Sequence, residues 1–216
     1  MIKLAKFLGC VLAASLFGQP GGPALGRDAV PARLRPPDQA DVARIEDYLN
    51  QLKTIKAKFL QVSSEGTMAS GTLYIWRPGR LRFEYAPPTP ILIVTSGVLV
   101  VYHDKELEQV THVPLRSTPL AFLLSEKVSL SGKLTITRFV RESNVLRITL
   151  AESGDAEDGS IMLIFSDKPL ALRKWEITDP QGVRTSVSLA DVRRGLKLDP
   201  QLFQFKDPAE DDAGSD

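Results

Sequence analysis

Residues 71–111 read GTLYIWRPGRLRFEYAPPTPILIVTSGVLVVYHDKELEQVT, and this stretch decides the fold that the sequence predicts. It contains five short strand-like segments that are separated by turn residues. In one of them, apolar Leu81 and Phe83 alternate with charged residues, which is typical of a strand with one apolar and one charged face. The pair Ser96-Gly97 predicts a tight hairpin between two later segments. We therefore expect a domain built mainly from antiparallel strands.

Arg77 is the unusual residue of this stretch. It follows Leu73 and Ile75 at intervals of two, so strand alternation would place all three side chains on one face. A guanidinium group would then point toward an apolar surface. The alternative is that the strand ends earlier, so that Arg77 begins a solvated Arg-Pro-Gly turn.

The remaining sequence adds helical segments and further strands. Asp38 is expected to cap a helix over 38–52, because apolar residues recur at helical spacing behind it. Residues 114–130 predict a short helix, with Pro119 placed early in it. The pattern predicts strands over 56–63, 133–141, 145–151, 161–166, 172–178 and 185–192.

Several strands are apolar on both faces, notably 91–94, 98–101 and 161–165. A simple two-layer sandwich would alternate more cleanly, since one face of each sheet meets water. The pattern favours about 11 antiparallel strands curled around short helices or a cavity, although ordinary core packing would explain many of the same residues. The length fits one domain over 38–208.

The N-terminus resembles an export signal. Residues 1–26 combine Lys3 and Lys6 with an apolar segment over 7–17 that is too short to span a bilayer. A buried N-terminal helix is the alternative. The only cysteine, Cys10, lies inside this apolar segment, so a mature chain would contain no thiol and no disulfide.

Two flanking segments have the composition of solvated chain. Residues 27–37 are rich in arginine and proline and predict a flexible lead-in, although a membrane-surface role is an alternative. Residues 209–216 form an acidic tail that we expect to be disordered. The formal net charge is only +1, which does not suit a nucleic-acid-binding protein.

No motif predicts catalysis or a cofactor. The two histidines, His103 and His112, lack metal-ligand spacing, and neither a nucleophile elbow nor a phosphate-binding loop is present. The acidic segment 155–159 could bind calcium but is more typical of an acidic hairpin turn. We therefore predict that the protein is not an enzyme and has no catalytic or metal site.

Several short motifs occur along the chain in a particular order and spacing: Phe59-x-Gln61, Ser70-Gly71-x-Leu73, Arg77-Pro78-Gly79, Leu81-x-Phe83-Glu84-Tyr85, Ile93-Val94-x-Ser96-Gly97, Gln109-Val110-Thr111, Pro119-Leu120-x-x-Leu123-Leu124 and Leu198-Asp199-x-x-Leu202-Phe203-x-Phe205. Their order and spacing resemble those of the LolA family of periplasmic outer-membrane lipoprotein carriers.

The resemblance implies an incompletely closed antiparallel β-barrel with a helical lid over an apolar cavity. It implies a monomeric periplasmic chaperone that carries lipoproteins from an inner-membrane ABC transporter to an outer-membrane acceptor. It also implies that Arg77 holds a lid, residues 114–130, by hydrogen bonds to main-chain carbonyls. We predict that the acyl-chain cavity is lined by Leu73, Ile75, Leu81, Phe83, Ile91, Ile93, Phe122 and Leu123.

Two other functions remain open at this point. The same fold resembles sensory domains that detect mislocalised lipid-modified proteins, but those proteins carry a second domain. A carrier for another amphiphile, such as a glycolipid, would show the same apolar pattern, because methylene groups look alike to an apolar wall.

Overall fold

The computed structural model describes residues 28–153 and 159–206. The expected signal peptide, the acidic segment 155–158 and the acidic tail lie outside these residues. Within them, no helix is both long and apolar enough to cross a membrane.

The N-cap of the long helix, α1, lies three residues earlier than the sequence predicted. The helix spans Pro36–Gln51, and Arg35 rather than Asp38 is its N-cap. Prolines suit the first turn because the N–H groups there have no partner within the helix. The Asp38 carboxylate accepts hydrogen bonds from the main-chain N–H (3.1 Å) and the guanidinium (Nε, 3.0 Å) of Arg35. The side-chain bond from Arg35 holds the pKa of Asp38 below its usual value.

The strands form one antiparallel sheet that does not close, as predicted. Among the described residues it has 11 strands in the order β6-β5-β4-β3-β2-β1-β11-β10-β9-β8-β7, so β6 and β7 are its two edges. The strands are β1 Thr54–Ser63, β2 Met68–Trp76, β3 Arg80–Tyr85, β4 Ile91–Ser96, β5 Leu99–Asp104, β6 Gln109–Pro114, β7 Leu134–Glu142, β8 Val145–Glu152, β9 Ser160–Ser166, β10 Ala171–Thr178 and β11 Arg184–Arg194. The described part of the chain also forms single-turn 3-10 helices at Leu115–Ser117, Ala121–Leu124 and Pro200–Phe203.

The apolar core lies on the concave side of this sheet. Strand alternation is clear in β1 and β3, where every second residue is buried. The two halves of the curled sheet meet through aromatic rings, since Phe83 on β3 contacts Trp175 on β10 edge to face, with centroids 6.3 Å apart. Helix α1 closes the core from the concave side with Ile45 and Leu49.

Gly71 on β2 permits a close approach inside this core. A Cβ atom at this position would lie 2.8 Å from a ring atom of Phe59 and would overlap the main-chain oxygen of Glu84. Only glycine lets β2 pass between these two groups. This requirement explains the glycine in the Ser70-Gly71-x-Leu73 motif.

Part of the expected flexible lead-in contacts the sheet. The N–H of Ala32 donates to the carbonyl of Ile136 on edge strand β7 at 2.7 Å, and Ala29 is buried. Pro36 and Pro37 belong to α1. The expected boundary at residue 37 is therefore displaced toward the N-terminus.

The C-terminal segment covers the convex side of β2–β5. Phe203 contacts the Trp76 ring at 6.1 Å, and Arg82 donates to the Leu202 carbonyl at 3.2 Å. Phe205 contacts the His103 ring at 5.3 Å. The conspicuous Leu198–Phe205 motif therefore packs against the outer face, away from the concave core.

Candidate functional site

Arg77 lies directly after β2 and is buried, with only 6% of its surface exposed. Its Nε and Nη2 atoms donate to the Ser125 carbonyl at 2.9 and 2.7 Å, and Nη2 also donates to the Glu126 carbonyl at 3.1 Å. Its Nη1 atom donates to the carbonyls of Leu49 and Leu52 at 2.5 and 3.2 Å. One guanidinium group therefore joins the lid (residues 114–130) to the C-terminal end of α1.

The electrostatics of this end of α1 suit a buried cation. The last carbonyls of a helix have no partner within the helix and carry the negative end of its dipole. The last turn of α1 contains no basic residue. Arg77, in the turn that follows β2, supplies the positive charge instead. Burial lowers the pKa of Arg77, but a guanidinium remains charged in proteins.

Three further contacts hold the lid. Gly79, in the turn after Arg77, donates its N–H to the Leu124 carbonyl at 2.8 Å. Asn50 on α1 makes two hydrogen bonds to the main chain of Val128. The Glu46 carboxylate accepts the N–H of Leu130 at 2.9 Å. The lid is therefore fixed by α1 and by the turn that follows β2.

Two small apolar cavities lie beneath the lid, each with a volume of about 30 Å³. The first is lined by Gln61, Leu81, Phe83, Ile93, Thr95, Val100, Leu115, Thr118, Pro119, Leu120, Leu124, Trp175, Ile177, Thr185 and Val187. The second is lined by Leu49, Leu52, Ile55, Leu73, Ile75, Arg77, Leu81, Leu120, Leu123, Leu124, Leu172, Trp175 and Leu189. Neither cavity has room for a long apolar chain, so side chains fill the interior beneath the lid.

Most of the residues that the sequence placed in a cavity line one of these two. Six of those eight apolar residues and Arg77 do so; the apolar ones are Leu73, Ile75, Leu81, Phe83, Ile93 and Leu123. Ile91 and Phe122 line neither cavity, so their assignment is not supported in this closed state. Ile91 lies at the far end of β4, since the first cavity touches β4 at Ile93 and Thr95. Phe122 is only partly buried, against the outside of the core.

Several lining and anchoring residues escaped the sequence analysis. Leu49 lies on the buried face of α1, Leu52 is the C-cap of this helix, and Trp175 and Leu189 come from β10 and β11. Periodicity along one helix or strand indicates which face is buried, but it does not say which distant strand that face meets. Asn50 shows no distinguishing pattern in the sequence, because its contact with Val128 joins residues 78 positions apart.

Metal-binding geometry is not found in the described part of the chain. No three His, Cys, Asp or Glu side chains within residues 28–153 and 159–206 are close enough to hold an ion together. His103 instead contacts Phe205 on the convex side.

The fold and the site define a class of protein, an incompletely closed β-barrel whose apolar interior is covered by residues 114–130. One buried arginine is hydrogen-bonded to the main chain of this segment. The chain belongs to the LolA family: the family described as "Outer membrane lipoprotein carrier protein LolA" matches residues 50–206. Relatives with the name "Outer-membrane lipoprotein carrier protein" include one from Methylococcus capsulatus, 34% identical over 77% of this chain and 84% of the relative. Another, from Chromobacterium violaceum, is 32% identical over 86% of this chain and 93% of the relative. A solved LolA superfamily protein from Nitrosomonas europaea is 9% identical, with a TM-score of 0.44 over 76% of this chain and 97% of that one.

Proposed function

We propose that this protein is a periplasmic carrier that binds the acyl chains of lipoproteins and ferries them toward the outer membrane. The family and the names of the relatives support the cargo and the compartment. The observation that carries the proposal is the placement of Arg77, which closes a lid over an otherwise apolar interior.

The energetics of acyl chains explain why such a carrier needs a closed empty state. A chain of about fifteen methylene groups gains ~12 kcal/mol when it leaves water entirely, at ~0.8 kcal/mol each. Two or three chains would exceed the ~18–21 kcal/mol at which non-covalent affinity saturates. Release would then be too slow for a carrier. Some of this gain has to be offset within the carrier.

The lid contacts supply such an offset. Arg77 makes three hydrogen bonds to lid carbonyls in the closed state, two to Ser125 and one to Glu126. Hydrogen bonds to a charged group contribute ~1.5–3 kcal/mol each, so breaking several of them costs as much as several methylene groups gain. Arg77 is thus the gate of the proposed carrier, and the two small cavities are the closed form of its binding site.

The proposed route begins at an inner-membrane lipoprotein-releasing ABC transporter and ends at an outer-membrane acceptor. A signal peptide over residues 1–26 would bring the chain into the periplasm. The intact mass of the exported protein tests this point, because cleavage near Arg27 would also remove Cys10.

Reconstituted transfer tests the carrier function. The purified protein is loaded with a fluorescent triacylated lipopeptide, and passage of the label to acceptor-containing vesicles is followed over time. We expect a soluble one-to-one complex that discharges to the acceptor. Failure to bind lipopeptide, or mass spectrometry that finds a different amphiphile on protein purified from the periplasm, would contradict the proposal.

A further inference from the structure

Trp175 carries an unused hydrogen-bond donor inside the core. The side chain is 2% exposed, and its Nε1 atom is buried without a hydrogen-bond partner. Among the described residues, two other buried side-chain atoms lack a hydrogen bond: Asp41 Oδ2, which pairs with Arg141, and Arg82 Nε, on the convex side. Trp175 is therefore the unsatisfied donor of the interior.

The ring of Trp175 lies in the wall of both cavities. The polar neighbours in the first cavity are engaged with other groups. The Gln61 side-chain oxygen accepts from the Tyr85 hydroxyl at 2.8 Å, and the Thr118 hydroxyl donates to the Leu115 carbonyl at 2.8 Å. A buried donor without a partner is costly, and such groups in native proteins often have a functional reason.

We propose that the indole N–H of Trp175 binds the carbonyl oxygen of a fatty acyl ester in the cargo, an inference that rests on the proposed carrier function. When the lid opens, the two cavities merge along the wall that Trp175 shares. Methylene groups offer no acceptor to this donor, whereas the ester at the head of an acyl chain offers a neutral carbonyl. A single neutral N–H suits such a carbonyl and does not suit a carboxylate, which would need a paired charge when it is buried.

This donor would act in the opposite direction to Arg77. Arg77 is satisfied in the closed, empty state, whereas Trp175 is unsatisfied there and gains a partner only when cargo is bound. A group that bonds in one state alone shifts the equilibrium toward that state. Trp175 therefore favours ester-linked cargo over an apolar molecule of equal length.

A pair of lipopeptides tests the inference. One carries two ester-linked acyl chains and the other carries ether-linked alkyl chains of the same length, which lack the carbonyl. We expect wild type to bind the ester about tenfold more tightly than the ether, and Trp175→Phe to lose this preference. Trp76→Phe is the matched control, because Trp76 packs against Phe203 on the convex side.

A spectroscopic measurement on the unchanged protein covers the case in which Trp175→Phe fails to fold. The chain has two tryptophans, so the ¹⁵N–¹H spectrum contains two indole signals, and Trp76→Phe assigns them. The Trp175 N–H signal should move downfield with the ester lipopeptide but not with the ether. If both lipopeptides bind with equal affinity and identical Trp175 shifts, the subsite is wrong and the carrier function stands. If neither lipopeptide binds, both proposals fail.

Discussion

Asn50 on α1 pairs with the main chain of Val128 in the lid much as a neighbouring strand would. Its amide nitrogen donates to the Val128 carbonyl, and its amide oxygen accepts the Val128 N–H, both at 2.9 Å. One turn earlier on the helix, Glu46 accepts the N–H of Leu130. Asn50 and Glu46, in the C-terminal half of α1, therefore hold the lid together with Arg77. We call these three residues the latch.

The N-terminal half of α1 is fixed to the sheet instead. Arg44 forms ion pairs with Asp41 at 2.6 Å and with Asp167, just after β9, at 2.9 Å. Asp41 also pairs with Arg141 on β7. We infer that α1 stays on the sheet when the lid opens, so that opening breaks the contacts made by its last two turns.

Replacement of Asn50 with alanine should loosen the lid without unfolding the domain. It removes both bonds to Val128 and leaves the Val128 N–H without its partner, at a cost of about 1–3 kcal/mol in the closed state. We expect faster amide hydrogen exchange at residues 126–130 and unchanged exchange in β8–β10. Gln51→Ala, an exposed neighbour on the same helix, is the control. Equal exchange in both variants would exclude Asn50 as part of the latch.

Replacement of Arg77 with leucine should leave the protein loaded but slow to discharge. The substitution removes the three hydrogen bonds from Arg77 to the lid carbonyls of Ser125 and Glu126, which the open state would lack, and it adds apolar surface where an acyl chain would lie. The equilibrium therefore shifts toward the open, cargo-bound form. Uptake of lipopeptide should persist while transfer to the acceptor slows by at least about tenfold.

Arg77→Lys tests whether the proposed gate needs the planar geometry of the guanidinium group or only its positive charge. A lysine keeps the positive charge but cannot reach carbonyls on both α1 and the lid with a planar fork of donors. Its transfer rate should lie between those of wild type and Arg77→Leu. If Arg77→Leu transfers cargo as fast as wild type, the gate lies elsewhere.

Much of this architecture was predictable because strand signals are local. Alternation in 71–111 identified five strands, and the doubly apolar strands indicated a curled sheet. The spacing of Arg77 after Leu73 and Ile75 also indicated an inward side chain, with a solvated turn as the alternative. These features depend on neighbouring residues along one strand.

The latch and the full cavity wall could not be predicted in the same way. The contacts of Asn50 with Val128 and of Phe83 with Trp175 join segments that are far apart in the sequence. Ile91 was placed in the cavity because it shares a face with Ile93, but alternation does not say how far the cavity extends along a strand. The start of α1 was missed because Asp38 has the features of a cap while two prolines precede it.

Stability at alkaline pH should depend on Tyr102. Burial, with a smaller contribution from Asp104, raises the pKa of Tyr102 from its ordinary 10.0 to about 12. The unfolded chain therefore loses this proton at lower pH than the folded chain does. The stabilising contribution is complete below pH 10 and is lost as the pH rises from 10 to 12.

Tyr102→Phe should make the free energy of unfolding depend less steeply on alkaline pH. The change in slope should correspond to the release of up to about one proton fewer per molecule on unfolding. Urea titrations between pH 8 and 12 measure this slope. Tyr74→Phe is the control, because Tyr74 lies on the convex side beside Lys56. Identical slopes for wild type and Tyr102→Phe would show that another group controls alkaline unfolding.

Replacement of Phe83 with glutamate tests whether the concave face is the binding surface. Phe83 is 2% exposed, lines the first cavity and contacts the rings of Phe59 and Trp175. An unpaired carboxylate there costs several kcal/mol unless it is protonated. In the closed state the cavity is too small for enough water to solvate the charge. We therefore expect a marked loss of thermal stability and loss of lipopeptide binding at pH 7. Lowering the pH should recover part of the thermal stability and part of the lipopeptide binding, because protonation removes the charge.

Phe83→Leu is the matched variant, since it removes the ring and keeps an apolar side chain. It should lose stability but retain binding. Substitution at the neighbouring Glu84, whose side chain points to the convex side with Arg82, should change neither. If Phe83→Glu stays folded and binds lipopeptide as wild type does, the acyl chains lie on a different surface.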